Sequence, residues 1–389
     1  MKNKLSFLSR GINKNIILLG FVSLFTDLSS QMVFPLIPLY LTGVLGASAV
    51  YVGIIEGAAE STAAILKVVS GYWSDKIKKR KPFVLFGYTL SAISKPLFAF
   101  VNSWPFVLGV RITDRVGKGL RDAPRDALVA ESTDPKNFGK SFGYQRSMDG
   151  LGSLLGAIFA FLLLPLIGFK NIFLISAIPG ILAIFTIFLI KEKKHGGIKK
   201  EPLKVNFSVL SLNLKLLILS SGVFALGHFG YAFLLLKAKE MGLSDSFAIL
   251  LYCLYFGVFT LLSMPIGSLS DKIGRKPMLV LGYIIFALVC LGMIFASSLI
   301  SFVGLFILYG VFFSLIDGTQ RAYVVDLCPK ELKATALGTL QMAIGLTALP
   351  GGALAGILWA KAGSSFTFLF GIILSILALS VLVFIKKSR

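Results

Sequence analysis

Between Arg111 and Asp126 the sequence reads RITDRVGKGLRDAPRD, eight charged residues in sixteen. Wound as an α-helix at about 100° per residue, Arg111, Arg115, Lys118, Asp122 and Arg125 fall within an arc of about 80°. Asp114, Arg121 and Asp126 widen that arc to roughly 140°. Val110, Leu120 and Leu128 lie outside that arc and are apolar. Such a face can hold an anionic group, or its cations and acids can pair with one another and fix the packing. Upstream, Glu56, Glu60 and Lys67 lie within about 40° of each other by the same reckoning. A lone acid, Asp27, stands in FTDLSSQ beside Ser29, Ser30 and Gln31, with Pro35 and Pro38 placed to kink the chain beyond it. Arg146 and Asp149 share a helix face three residues apart. A carboxylate whose hydration and charged neighbours change can take up and release a proton.

The elements that carry these groups are otherwise apolar. Hydrophobic residues make up 56% of the chain and charged residues 15%, with a mean hydropathy of +0.85. A soluble domain of this size carries more charge. Runs of about 20 apolar residues are long enough to cross a hydrocarbon core as helices, and they lack the alternation of membrane β-strands. The pattern predicts twelve helices, near 15–41, 50–73, 82–101, 104–130, 138–164, 169–190, 213–238, 245–269, 277–297, 300–326, 334–360 and 363–385. At that depth an ionisable group costs several kcal/mol unless it is paired or hydrated, so it marks a pathway. Most such groups lie in the first half; the second has His228, Asp317, Arg321 and Asp326.

Charge in the links gives the orientation. Lys76 to Lys81, Lys136 with Lys140, the 191–204 segment, Lys272 with Arg275 and Lys276, and Lys330 with Lys333 alternate with links that are nearly bare of cations. Positive charge marks the cytoplasmic side, so both termini are expected there, in a multi-pass protein of the cytoplasmic membrane. The net charge of +21 is read as this loop charge, and no nucleic-acid partner is expected. The first apolar run is too long for a cleaved signal peptide. Cys253, Cys290 and Cys328 are far apart and form no metal or disulfide pattern, and no cofactor is expected. A Gly-rich Gly-Lys-Ser/Thr nucleotide loop is missing, which argues against ATP drive.

One short turn is written twice. Residues 71–82 read GYWSDKIKKRKP and residues 267–277 read GSLSDKIGRKP, with Asp75 and Asp271 196 positions apart. Asp122 with Asp317, Glu131 with Asp326, Gly143 with Gly338, Gly150 with Gly345 and Gly156 with Gly351 pair at an offset of 195. A repeat at half the chain length predicts a duplicated fold. The basic, glycine-bearing stretch at 191–212 is the expected linker between six-helix bundles at 1–190 and 213–389.

This turn, a glycine followed four residues later by an aspartate and then a basic cluster, resembles the signature loop of the major facilitator superfamily. The second copy fits through Gly274, Arg275 and Lys276; the first has Lys78 at the second glycine position. The resemblance spans nearly the whole chain. It implies an all-α membrane protein of two pseudo-symmetric six-helix bundles that moves a small solute by alternating access. RITDRVGKG resembles the family's helix-four motif, although Asp114 and Arg115 depart from it. GYQRSMDGLGSLLGAIFA (143–160) resembles the helix-five motif of its proton antiporters, with Ala157 where that motif has proline. Gly152 and Gly156 there serve either close helix packing or antiport.

The expected function is proton-coupled efflux by a monomer. Asp27, Glu60 and Asp149 are the proton-coupling candidates. Gln31, Glu56, Arg111, Arg115, Lys118, Arg121, His228, Tyr231 and Arg321 are the solute-binding candidates. Gly71, Asp75, Arg80, Gly267, Asp271 and Arg275 are expected to form a conformational latch, with Asp75 facing the N-terminal end of helix eleven. Arg115 and Lys118 are expected to approach Asp27 and Glu60. The alternatives are a proton-coupled importer of an organic anion that uses the helix-four cations, and a receptor that transports nothing.

Overall fold

The computed structural model describes residues 13–77, 79–133, 138–192, 210–328 and 333–385. Among them are fourteen α-helices and no strand: α1 (Lys14–Val33), α2 (Leu36–Gly43), α3 (Ala49–Ile77), α4 (Lys81–Leu97), α5 (Trp104–Glu131), α6 (Phe138–Ile175), α7 (Ala177–Phe188), α8 (Leu212–Gly227), α9 (Tyr231–Glu240), α10 (Asp245–Ile273), α11 (Arg275–Phe295), α12 (Leu299–Asp326), α13 (Lys333–Ala362) and α14 (Ser364–Val383).

Ten stretches are long and apolar enough to cross a bilayer. One of them, Ser141–Phe188, has 48 residues and turns at Gly168, whose φ of 71° and ψ of 176° are not helical. It therefore holds two crossings. α5 has the length of a span at 28 residues, though its charges set it apart from the rest. Twelve crossings follow, as the hydropathy pattern predicts.

Local chemistry explains where crossings break. α1 ends at Phe34 because Pro35, the first residue before α2, has no amide hydrogen to continue the ladder. The seventh crossing, expected as one helix over 213–238, is two. α8 stops at His228, and α9 restarts after Gly230, whose φ of 76° suits a residue without a Cβ.

Two compact units emerge. The first comprises Met1–Phe34, Leu66–Val101 and Gly109–Lys200; the second comprises Pro35–Ile65, Asn102–Leu108 and Glu201–Arg389. In the first, α1 lies along α6, and α7 packs on α1 and α4. A Cβ on Gly156 would come within 2.9 Å of Gln31 Cβ and strike the Leu28 carbonyl, while one on Gly152 would strike that of Leu24. These glycines thus let α6 approach α1, the close-packing role of a small-xxx-small pair. Leu19, Val22, Val84, Tyr88, Leu128, Val129 and Ile187 form the apolar core here.

In the second unit α12 packs on α10 and α11, and α14 packs on α8 and α11. The stretch of α3 before Leu66 belongs here because its small-residue face meets α13. Gly53 lies against Gly352 and Gly57 against Ala348 and Leu349. Ser61 Oγ donates to the Gly345 carbonyl at 2.5 Å and accepts from the Leu349 amide at 3.2 Å.

Candidate functional site

α5 presents its charged face to the interior of the first unit. Arg111 and Asp114 are 1% exposed and Arg115 is 2% exposed, so these charges are balanced by protein. Asp114 lies 3.4 Å from Arg115 Nε and 4.0 Å from Arg111 Nη1, and Ser91 of α4 donates to it. Both guanidiniums also lie over the ring of Phe34, with Arg111 Cζ 3.9 Å and Arg115 Cζ 4.5 Å from its centroid. Lys95 is fully buried and donates to Ser29 Oγ at 3.2 Å; Ser29 in turn donates to the Ser176 carbonyl at 2.6 Å.

Further along α5, Asp122 lies 4.0 Å from Lys67, which settles the ion pair of that lysine on α5. Arg125 pairs with Asp126 at 2.9 Å and donates to Ser23 Oγ at 3.3 Å. Gln145 of α6 donates to the same hydroxyl and, at 3.4 Å, to Asp149. Asp149 also pairs with Arg146 at 3.2 Å. Asp27 sits within Coulombic reach of Asp149, Lys118, Arg121 and Arg125. Two of the three proton-coupling candidates, Asp27 on α1 and Asp149 on α6, thus act on one another electrostatically, and Lys118 of α5 acts on Asp27. The ion pair of Arg115 is instead with Asp114, its neighbour in sequence.

The second unit holds Glu56, Glu60, His228, Tyr231 and Arg321. Glu56 is half-buried and Glu60 exposed on α3, with Glu60 within Coulombic reach of His228. His228 Nε2 shares a hydrogen bond with Tyr309 Oη at 3.1 Å. Its ring sits among Phe224, Phe286 and Phe312, at centroid separations of 5.2–5.8 Å. Tyr231 packs edge-on against Tyr252 at 4.8 Å. Arg321 pairs with Asp317 at 2.7 Å, both about two-fifths exposed, the weakest setting of the set.

The duplicated turn builds the same network twice. Arg80 donates to Ser74 Oγ at 2.8 Å and to Glu131 at 3.2 Å, and its amide donates to Glu192. Arg275 donates to Ser270, Asp271 and, at 3.2 Å, Asp326. The next lysine in each copy caps a helix end. Lys81 reaches the carbonyls of Phe188 and Ile190 at 3.2 and 2.7 Å, and Lys276 those of Val383 and Ile385 at 3.0 and 2.8 Å. Gly71 faces Ala123, and Gly267 has open space beside it. The Asp75 side chain, and with it the expected contact to helix eleven, lies outside the described residues.

The Major Facilitator Superfamily profile matches residues 19–244 and again residues 216–389. The chain belongs to the major facilitator superfamily. Its relatives include an uncharacterized MFS-type transporter of Methanocaldococcus jannaschii, 41% identical over 384 residues, which cover 97% of this chain and 96% of that one. Multidrug resistance protein MdtG of Escherichia coli is 28% identical over 300 residues, 73% of each chain. A crystal structure of a variant of the nucleoside transporter NupG superposes with a TM-score of 0.79, covering 96% of this chain and 100% of that one; at 14% identity the likeness is one of fold. This superfamily member is accordingly a multi-pass membrane transporter that binds a small molecule, within a transporter family and not an enzyme family.

Sequence reasoning passed over Phe34, Tyr88, Ser91 and Tyr309. None has a charge or a spacing that marks it, and each matters through a contact with another helix. Lys95 is a charge within an apolar helix, but nothing in the sequence marks its tie to Ser29.

Proposed function

We propose that this transporter couples solute movement to protons at the cytoplasmic membrane, with Asp27 and Asp149 carrying the proton, and that it exports its solute. The observation that carries the coupling is the shared neighbourhood of these two carboxylates and of Lys118, Arg121 and Arg125. A proton on either acid changes the net charge of a cluster that joins α1, α5 and α6. It thereby changes how strongly the α5 cations hold those helices. Glu60, within Coulombic reach of His228 in the second unit, is the third candidate. The similarity to MdtG supports export. Under the positive-inside reading, the α3–α13 contact follows a link bare of cations and lies toward the external side. The protein is expected to act as a monomer.

A second reading, import of an organic anion with protons, is favoured by the charge of the first unit. Its groups at membrane depth are Lys67, Lys95, Arg111, Arg115, Lys118, Arg121, Arg125 and Arg146 against Asp27, Asp114, Asp122, Asp126 and Asp149. Cations outnumber acids even with every acid ionised.

Reconstitution into vesicles that enclose a pH dye tests both. A pH gradient of either sign is imposed, and radiolabelled benzoate and ethidium are followed with the proton flux. Asp27→Asn and Asp149→Asn are expected to abolish gradient-driven transport while permitting solute exchange at equal pH. Should both variants still concentrate solute on a pH gradient alone, the coupling site is elsewhere.

A further inference from the structure

The two copies of the duplicated turn build matching networks inward but present different side chains outward. In the first copy, Ser70 Oγ donates to the Gly119 carbonyl of α5 at 2.8 Å, a Cβ on Gly71 would meet Ala123 at 3.3 Å, and the Ser74 hydroxyl accepts from Arg80. That face of α3 is engaged by α5 and by the turn. Tyr72 and Lys76, one helical turn apart, lie roughly opposite Ser70 and Ser74. Trp73 and Ile77 form a second such pair beside them. Tyr72 is 36%, Trp73 53% and Ile77 56% exposed. Lys76 and Lys79 are exposed as well, and neither has an ion pair or hydrogen bond with another described residue.

Depth gives this surface its meaning. The apolar span of α3 runs Ala49–Ser74, so the two rings stand at its end and the two lysines just beyond. Tyrosine and tryptophan, apolar with one polar tip, settle at the boundary between hydrocarbon and headgroups. Between residues 75 and 81 the sequence places Lys76, Lys78, Lys79, Arg80 and Lys81 against the single acid Asp75. Arg80 and Lys81 are drawn inward by Ser74, Glu131 and the carbonyls that end α7, which leaves Lys76 and Lys79 facing outward. Cations directly past a span attract anionic headgroups, by about fivefold for each lysine at the surface. The second copy lacks this combination. Its matching positions are Ser268, Leu269, Lys272 and Ile273, and Lys272, Arg275 and Lys276 stand against Asp271. Leu269 and Ile273 are 43% and 54% exposed, so that face also meets lipid, but it carries no ring.

We propose that Tyr72, Trp73, Lys76 and Lys79 form a docking site for an anionic phospholipid, whose phosphate meets the two lysines while its acyl chains lie against the rings and Ile77. The site belongs to the first repeat alone and holds whichever way the solute moves.

The test makes Trp73 its own reporter. The chain has three tryptophans. Trp104 stacks on Tyr51 and Trp359 packs on Phe233, contacts that phenylalanine can keep. The full-length protein with Trp104→Phe and Trp359→Phe is reconstituted into phosphatidylcholine vesicles that contain matched amounts of brominated phosphatidylglycerol or brominated phosphatidylcholine. Bromine quenches tryptophan on contact, so the ratio of quenching gives the preference for the anionic lipid. Phosphatidylglycerol is expected to be preferred about threefold or more, and Lys76→Gln with Lys79→Gln should bring the ratio close to one. Moving the reporter to the second copy, with Trp73→Phe and Leu269→Trp, should give a clearly smaller preference. Inorganic phosphate at constant ionic strength should not displace the lipid, because it lacks the acyl chains. The proposal is overturned if Trp73 is quenched equally by both lipids, or if the preference survives loss of both lysines. It is also overturned if Leu269→Trp shows the same preference, which would assign it to the basic surface as a whole, or if inorganic phosphate abolishes it, which would mark a site for the free ion. Should the single-tryptophan chain not fold, melting of the otherwise unaltered protein in the same two lipids decides: phosphatidylglycerol should raise Tm, Lys76→Gln with Lys79→Gln should remove that rise, and an equal rise in both proteins would overturn the site.

Discussion

Substituting Gly57 by alanine probes the contact between α3 and α13. The new methyl carbon would lie 2.6 Å from the Ala348 carbonyl oxygen and 2.8 Å from Leu349 Cα. Ordinary contact begins at 3.4 Å, so the helices must part locally by about 0.8 Å. The obstructing atoms are backbone and cannot swing aside, which places the cost in the upper part of the overpacking range, at about 2–3 kcal/mol. If this contact forms in one access state and breaks in the other, the whole cost falls on the closed state. A tenfold population change per 1.4 kcal/mol then gives a shift of roughly 30- to 140-fold toward the state in which α3 and α13 are apart. The assay is alkylation. In a background with Cys253, Cys290 and Cys328 replaced, Ala63→Cys is buried on α3 and reports opening through its rate of reaction with a membrane-impermeant maleimide. Gly57→Ala should raise that rate by at least about tenfold, and solute turnover should fall. A lower melting temperature with an unchanged alkylation rate would show that the contact is permanent packing and refute the reasoning.

Three further outcomes follow from the networks. The Arg80 side chain is 14% exposed and its partner Glu131 25%, whereas Asp271 and Asp326 around Arg275 are 63% and 53% exposed. Arg80→Gln should therefore cost about 1.5–3 kcal/mol and Arg275→Gln about 0–1 kcal/mol, seen as a larger drop in Tm for the first copy; the reverse order would contradict this. Phe34→Leu removes the ring that faces two guanidiniums and should cost about 1–2 kcal/mol, with Phe34→Tyr near wild type in the same melting experiment. Asp75→Asn should slow turnover in vesicles while leaving solute affinity nearly intact, and normal turnover would defeat the latch.

What could be read in advance depended on how each feature is encoded. The twelve crossings and the twofold repeat are properties of composition and period. Arg80 and Arg275, which the duplicated turn sets at equivalent places, find equivalent partners in Ser74 with Glu131 and in Ser270 with Asp326. The break after Val33 was legible in Pro35, but that between α8 and α9 was not, since Gly230 is one glycine among many and only its φ sets it apart. Helical spacing showed which charges share the α5 face. It could not choose partners across helices, so the tie of Lys67 to Asp122, the stacking of Arg111 and Arg115 on Phe34, and the position of Arg121 over Tyr88 came only with the fold. Each depends on the register of one helix against another, which no single-helix periodicity contains.

The lysine caps at Lys81 and Lys276 bear on how the chain is made. The first closes on the carbonyls of Phe188 and Ile190, so it can form once residue 190 has left the ribosome, while most of the second repeat is still to be made. The second needs Val383 and Ile385, and waits until the last helix of the second repeat has been made. Chains fold largely from the N-terminus as they emerge. During biogenesis the early helices thus acquire their clasp while the later ones are still being threaded into the bilayer. Nascent chains long enough for residue 190 to have cleared the ribosome should already hold that clasp, whereas chains cut before Val383 would leave the later one unfastened.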